Sequence, residues 1–187
     1  MTPDATVTEC RARLAELIRA NALRFGDFTL ASGQKSSFYL DVRKTSMHPE
    51  GAYLVAQLIL DDLADSGVVA VGGPVLGAAP LVGAVAAESF RRGHPLPTFL
   101  VRKEPKGHGT AKLIEGHFPA GQRVALIEDV VTTGSSVLRA LAVARGEGAT
   151  VDLLVCVVDR EQGGPEAFAE QGVEFRALFK VSELLGG

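Results

Sequence analysis

Apolar and polar positions along the chain change their rhythm near Gly67. Before it, Leu14, Leu17 and Ile18 share one helical face, which predicts a short amphipathic helix over 8–21. The segment FTLASGQKSSFYLDVR (28–43) then holds two short β-like runs about a Ser-Gly turn, with Phe38, Leu40 and Val42 alternating, and predicts an antiparallel hairpin. Pro49 suits the first position of a helix whose stripe of Tyr53, Leu54, Leu58 and Leu63 ends at Gly67.

Beyond Gly67 the apolar runs are short and continuous. Residues 68–71, 98–101, 124–127, 151–158 and 173–179 each read as a strand, with helices near 80–92, up to Arg145, and after DREQGG (159–164). Strands apolar on both faces and separated by helices belong to a parallel sheet covered on both sides. The expected fold is α/β: a doubly wound, mostly parallel five-stranded sheet with a small N-terminal helix-and-hairpin hood. One domain accounts for 1–187, with the hood over about 1–45 and the core over about 46–187. Such sheets bind ligands beyond the carboxyl ends of their strands. That rule gathers GGP (72–74), RKEPKGHG (102–109), EDVVTTGSS (128–136) and DREQGG around one crevice.

Composition narrows the class. With 47% hydrophobic and 22% charged residues, a net charge of −3 and a pI near 5.8, the chain offers no general attraction to nucleic acid or anionic membrane. Cys10 and Cys156 stand far apart without a C-x-x-C partner, which argues against a zinc site or disulfide scaffold and fits a reducing cytosol. The polar, early-acidic N-terminus is no signal peptide, and no apolar run reaches membrane length. A soluble cytoplasmic protein is expected. Against this acidic background VRKEPKGHGT (101–110) gathers Arg102, Lys103, Lys106 and His108, with Pro105, Gly107 and Gly109 between them.

The chemistry concentrates in VALIEDVVTTGSSVLRA (124–140). A strand brings Glu128 and Asp129 to its carboxyl end, and Thr132, Thr133, Gly134, Ser135 and Ser136 form a small-residue loop at a helix N-terminus. Free N–H groups, the positive helix end and the hydroxyls suit a phosphate. Two carboxylates would repel that phosphate, so they call for donors such as sugar hydroxyls, and they would also stabilise a cationic ribose. Together these groups describe a ribose 5-phosphate holder. Thr and Ser before a helix also serve as plain caps, but the two adjoining acids favour the holder.

VALIEDVVTTGSS resembles the phosphoribosyl-diphosphate signature of the type I phosphoribosyltransferases. VRKEPKGHGTAKLIEG is similar to the mobile catalytic loop of the orotate phosphoribosyltransferase family, and FTLASGQKSSFYLDVRK and VVDREQGG resemble its hairpin and its segment after the next strand. The four matches span 28–164 in the family's order. The resemblance implies transfer of ribose 5-phosphate from 5-phosphoribosyl 1-diphosphate to orotate, giving orotidine 5′-phosphate and pyrophosphate in pyrimidine biosynthesis. It implies Mg²⁺ carried mainly by the diphosphate, and a homodimer sharing the 102–116 loop.

Carried over residue by residue, it places Thr132 and Arg160 on orotate, Glu128 and Asp129 on the ribose hydroxyls, and Val130, Val131, Thr132, Thr133, Gly134, Ser135 and Ser136 around the 5′-phosphate. Arg102, Lys103, Lys106 and His108 fall on the diphosphate. Of these, Lys103 serves its own subunit's site and the other three the neighbour's. Lys103, Lys106, His108 and Asp129 are the expected catalytic residues, with Lys103 or His108 as proton donor to the departing oxygen. Chemistry agrees for Arg160, since a guanidinium grips a planar carboxylate with two hydrogen bonds; a surface arginine is the alternative.

The chain departs from the family pattern at Ala31 and at Val75-Leu76, where some members carry lysines on phosphoribosyl diphosphate. Lys35, Arg43 and Lys44 are the candidate replacements. His48, His94 and His117 read as surface residues, and Phe28, Phe38 and Tyr39 as a half-buried hairpin face, one of them alternatively lying against the pyrimidine. Two other functions fit the same fold: transfer to another base such as a purine, and non-catalytic sensing of phosphoribosyl diphosphate. Arg160 and the Lys103–Thr110 pattern weigh against the first, the intact cationic loop against the second.

Overall fold

The computed structural model describes residues 6–29, 35–105 and 112–186. Helix α1 (Val7–Leu17) opens on a reciprocal cap: the Thr6 hydroxyl accepts the Glu9 N–H at 3.2 Å and the Glu9 carboxylate accepts the Thr6 N–H at 2.8 Å. It widens into a π-helical turn, Ile18–Ala22, and lays Cys10, Leu14, Leu17 and Ile18 against helix α3 (Pro49–Leu63). Strands β1 (Leu23–Thr29) and β2 (Lys35–Leu40) make the expected antiparallel hairpin. The hairpin starts earlier than the sequence suggested, because β1 is mostly exposed and carries little apolar alternation. The extended run ends at Leu40. Val42 is already helical and buried, starting the single turn α2 (Arg43–Ser46).

The main sheet holds β3 (Ala70–Pro74), β4 (Thr98–Val101), β5 (Ile114–Gly116), β6 (Arg123–Val131), β7 (Thr150–Asp159) and β8 (Glu174–Lys180) in the order β5-β4-β3-β6-β7-β8. All neighbours are parallel except β4 and β5. The sheet therefore has six strands where five were expected. The addition, β5, is a three-residue edge strand carrying Glu115, too short and polar to announce itself, and a short charged edge also resists further pairing.

The parallel strands explain the continuous apolar runs. Val71, Ile127 and Val155 join one buried cluster with Leu54, Ile59, Leu81 and Val85 of α3 and α4 (Ala78–Arg91). Their neighbours Ala70, Leu126 and Leu154 join a second, with Val137 and Leu141 of α5 (Ser135–Gly146) and Phe168 of α6 (Gly164–Ala169). A last short helix, α7 (Val181–Leu185), follows β8. Among the described residues no helix is long and apolar enough to cross a membrane.

Two details aim this fold at its crevice. Strand β6 runs past Ile127 because β7 keeps pairing with it, Glu128 to Cys156, Val130 to Val158 and Val131 to Asp159. The two acids thus belong to a strand end, not a loop. At Gly73, a Cβ would overlap the Ile127 carbonyl oxygen and the Ala78 side chain. Only glycine lets β3, β6 and the start of α4 meet there, one residue before the acids on β6. Strand order reverses between β3 and β6, the place where such sheets open a crevice.

Candidate functional site

Glu128 and Asp129 form the floor of this crevice. Glu128 is only 4% exposed. Its Oε2 accepts the Ser136 hydroxyl at 3.2 Å and its Oε1 accepts the Asp129 N–H at 3.2 Å, while Asp129 Oδ1 accepts the Val130 N–H at 2.8 Å. Gly77, at the start of α4, closes over both: a Cβ there would overlap Glu128 Oε1 and Asp129 Oδ1 together. The roof is thus bare backbone fitted to the carboxylates. Burial, reinforced by the Asp129 charge, pushes the Glu128 carboxyl up to about 8. Burial raises Asp129 as well, opposed by its hydrogen bonds with Glu128 and Val130 and by the charge of Arg43. A buried and a half-buried carboxyl side by side cannot both ionise cheaply, so the pair shares a retained proton.

A cleft of about 330 Å³ opens above the acids, lined among others by Asp41, Arg43, Val75, Leu76 and Ser136. Arg43, half-buried and hydrogen-bonded to Asp41 at 2.8 Å, is the member of the trio Lys35, Arg43 and Lys44 that borders it. Lys35 opens the exposed end of β2, and Lys44 is exposed on α2. Val75 and Leu76 stand at the rim, 39% and 65% exposed, joined by a cis peptide bond. Ala31 lies outside the described residues.

Thr132, Thr133 and Gly134 make the turn from β6 into α5. Gly134 takes the left-handed conformation, φ 78°, and a Cβ would collide with the Phe168 ring. Thr and Ser at this place predict a side-chain cap as the plain alternative, but no side chain caps α5. The cap position is Gly134, and the Ser136 hydroxyl turns to Glu128 instead. The first-turn N–H groups of a twelve-residue helix are therefore left without a capping side chain beside the acid pair.

At the base of the charged loop, the Arg102 N–H donates to the Leu113 carbonyl at 2.7 Å and its guanidinium lies 3.9 Å from Glu115. Lys103 is exposed. Both line a second cavity of about 230 Å³ that shares Val75 and Ser136 with the first, so the loop's base and the acid pair open on adjoining space. Lys106 and His108 lie outside the described residues.

Arg160 follows the end of β7, its N–H donating to the Val131 carbonyl at 2.8 Å. Its guanidinium lies over the Phe38 ring, 5.1 Å from the centroid, and burial lowers its pKa. The structure thus joins Glu128, Asp129, Val130 and Ser136 in one cleft with Lys103 and Arg102 beside it, while Arg160 is held between β7 and the hairpin. Sequence reasoning missed Gly77 and Asp41 as cleft residues. The sequence places GGP (72–74) and Val75-Leu76 at the crevice but not Gly77, whose overlap exists only once α4 lies across β6. Among the described residues no three His, Cys, Asp or Glu side chains group as metal ligands.

No protein-family model matches the chain. Curated relatives do: an orotate phosphoribosyltransferase of Bradyrhizobium sp. (strain ORS 278) is 48% identical over 179 residues, covering 94% of this chain and 97% of its own. Among solved structures, Mycobacterium tuberculosis H37Rv orotate phosphoribosyltransferase in complex with Fe(III) dicitrate superposes with a TM-score of 0.84 at 37% identity, over 94% of this chain and 98% of that one. The same enzyme in complex with 5-phospho-alpha-D-ribosyl 1-diphosphate gives 0.80 at 35% identity, with the same coverage.

The acid pair predicts a pH effect on stability. A carboxyl whose folded pKa is raised, as at Glu128, from 4.5 to about 8, leaves the folded state holding more protons than the unfolded one within that window. Stability then falls as pH rises from about 4.5 to 8, and Asp129, also raised, adds the same sign. Urea unfolding at pH 5 and at pH 8.5 should show the parent losing a few kcal/mol more than Glu128→Gln. Equal losses in the two proteins would mean that Glu128 is ionised throughout.

Proposed function

The chain belongs to the orotate phosphoribosyltransferase family, and from that premise we propose how its own residues carry the reaction. It is a pentosyltransferase: it moves ribose 5-phosphate from 5-phosphoribosyl 1-diphosphate to orotate, releasing orotidine 5′-phosphate and pyrophosphate. The observation that carries the assignment of residues is the α5 terminus without a side-chain cap next to the buried acid pair, linked by the Ser136–Glu128 hydrogen bond of 3.2 Å.

Residues 130–136 hold the 5′-phosphate through N–H groups and hydroxyls at the positive end of α5. Glu128 and Asp129 accept the ribose hydroxyls from below, and Asp129, the more readily ionised of the two, stabilises positive charge as it develops on the sugar. Arg160, with Thr132, takes the orotate carboxylate and orients the ring so that its nitrogen faces the anomeric carbon. The bond from that carbon to the diphosphate oxygen breaks as the bond to the base nitrogen forms, and the electron pair leaves with pyrophosphate. The proton lost from the base nitrogen balances the one taken up by the departing oxygen. Arg102, Lys103, Lys106 and His108 neutralise the leaving group and exclude water, and Lys103 or His108 supplies a proton to the departing oxygen.

Magnesium fits as an ion carried on the diphosphate. It prefers to keep its waters and substrate phosphates as ligands, and the described residues offer no converging set of three protein ligands. Bound there, it supplies further charge neutralisation to the leaving group. Arg43 at the cleft rim supports a role in place of one missing lysine. The protein acts as a homodimer in the cytoplasm, lending Arg102, Lys106 and His108 across to the partner's site; the two buried cysteines suit a reducing compartment.

Protein, Mg²⁺ and phosphoribosyl diphosphate mixed with orotate should deplete orotate absorbance, whereas adenine, hypoxanthine and uracil should persist. His108→Ala should lower turnover about a hundredfold or more with little change in thermal midpoint. Turnover of a different base in place of orotate would contradict the substrate, and binding with no turnover would indicate a sensor. A second measurement tests the shared loop. Equal amounts of His108→Ala and Asp129→Asn chains, each nearly inactive, should after subunit exchange regain roughly a quarter of parental activity, since half the dimers then hold one intact site. No recovery in a mixture shown to contain heterodimers would place His108 in its own subunit's site.

A further inference from the structure

Leu23, Phe38 and Leu40 bring the hairpin to the core, and Phe38 among them meets a residue of the site. Phe38, half-buried on β2, packs against the main apolar cluster, and its ring lies under the Arg160 guanidinium. Its backbone is pinned: the Ser36 hydroxyl donates to the Phe38 carbonyl at 2.7 Å and accepts the Phe38 N–H at 3.3 Å. Arg160 is clamped at its own root. Asp159 Oδ1 accepts the Glu161 N–H at 2.8 Å, Glu161 sits in the left-handed region at φ 58°, and its carboxylate accepts the Ser182 N–H at 3.0 Å.

Between these fixed points the guanidinium is nearly bare. Its Nε is buried with no hydrogen-bond partner, and among the described residues no carboxylate pairs with it. An arginine this short of partners needs some other source of attraction to remain ordered. An aromatic face provides one without consuming the in-plane Nη N–H groups, where a carboxylate neighbour would have taken them. Aliphatic packing would fill the space without that attraction.

We infer that Phe38 is a positioning residue for base recognition: its ring holds the Arg160 guanidinium over the hairpin in the orientation from which it grips the orotate carboxylate. The inference rests on the reading of Arg160 as the orotate ligand. It gives the hairpin a task in substrate selection, since the side chain that aims the base-binding arginine comes from there.

Steady-state kinetics of Phe38→Ala, Phe38→Leu, Phe38→Tyr, Arg160→Ala and the Phe38→Ala/Arg160→Ala double variant test it. Phe38→Ala should raise the orotate KM roughly five- to tenfold, with the phosphoribosyl-diphosphate KM unchanged. Phe38→Leu, which keeps the packing and loses the aromatic face, should show the same rise, so the test survives if the alanine variant fails to fold. Phe38→Tyr should restore the parental value. In the Arg160→Ala background, Phe38→Ala should add nothing. A normal orotate KM in Phe38→Leu, or fully additive losses in the double variant, would overturn the positioning role while leaving the orotate site standing, provided Arg160→Ala alone raises the orotate KM. An unchanged orotate KM in Arg160→Ala would overturn both readings.

Discussion

The site depends on one constraint: two adjacent carboxyls, Glu128 buried and Asp129 half-buried, share the end of one strand. Glu128 receives the Ser136 hydroxyl and a backbone N–H, and Asp129 receives the Val130 N–H beside its contact with Glu128 and the charge of Arg43. Removing such groups from water costs several kcal/mol unless they are paired. The protein keeps them because β6 is locked on both sides, to β3 at its start and to β7 as far as Val131. Gly73 and Gly77 bring β3 and the first turn of α4 down on them. A ligand rich in hydroxyl donors suits two carboxyls so placed, and the proposed assignment therefore puts the sugar, not its phosphate, in this part of the crevice.

Under the proposed assignment the rest of the substrate divides by charge. It gives the phosphate to the α5 terminus, whose cap position is a glycine and so contributes no competing side chain. It gives the diphosphate to the Arg102–Lys103 edge, across space bounded by Val75 and Ser136. It gives the planar carboxylate of the base to Arg160, which stands against an aromatic ring. Two acids in the middle and cationic or N–H groups around them match the sequence of charges along the reacting pair.

Much of this was legible in the sequence, and what was hidden has a physical reason. Continuous apolar runs such as Val151–Val158 disclosed a doubly covered parallel sheet, since both faces of each strand enter a core. The run EDVVTTGSS disclosed acids at a strand end beside a small-residue turn into a helix. Strand β5 was hidden because a three-residue edge has no periodicity, and β1 because it is largely exposed. Glu128 and Asp129 read as a strand end, but the run of β6 on through Val130 and Val131 was hidden, since only pairing with β7 carries those residues into the ladder. Gly77, Asp41 and the Phe38–Arg160 contact depend on elements distant in sequence, which no local pattern records.

The central claim is that the acid pair binds sugar while the α5 terminus binds phosphate, so the two contributions should separate. Calorimetric titration of Asp129→Ala with phosphoribosyl diphosphate and with inorganic phosphate measures this directly. Loss of a hydrogen bond to a charged acceptor should weaken phosphoribosyl diphosphate by about tenfold or more and leave phosphate binding at its parental strength. Unchanged affinity for phosphoribosyl diphosphate, or an equal loss for both ligands, would contradict it.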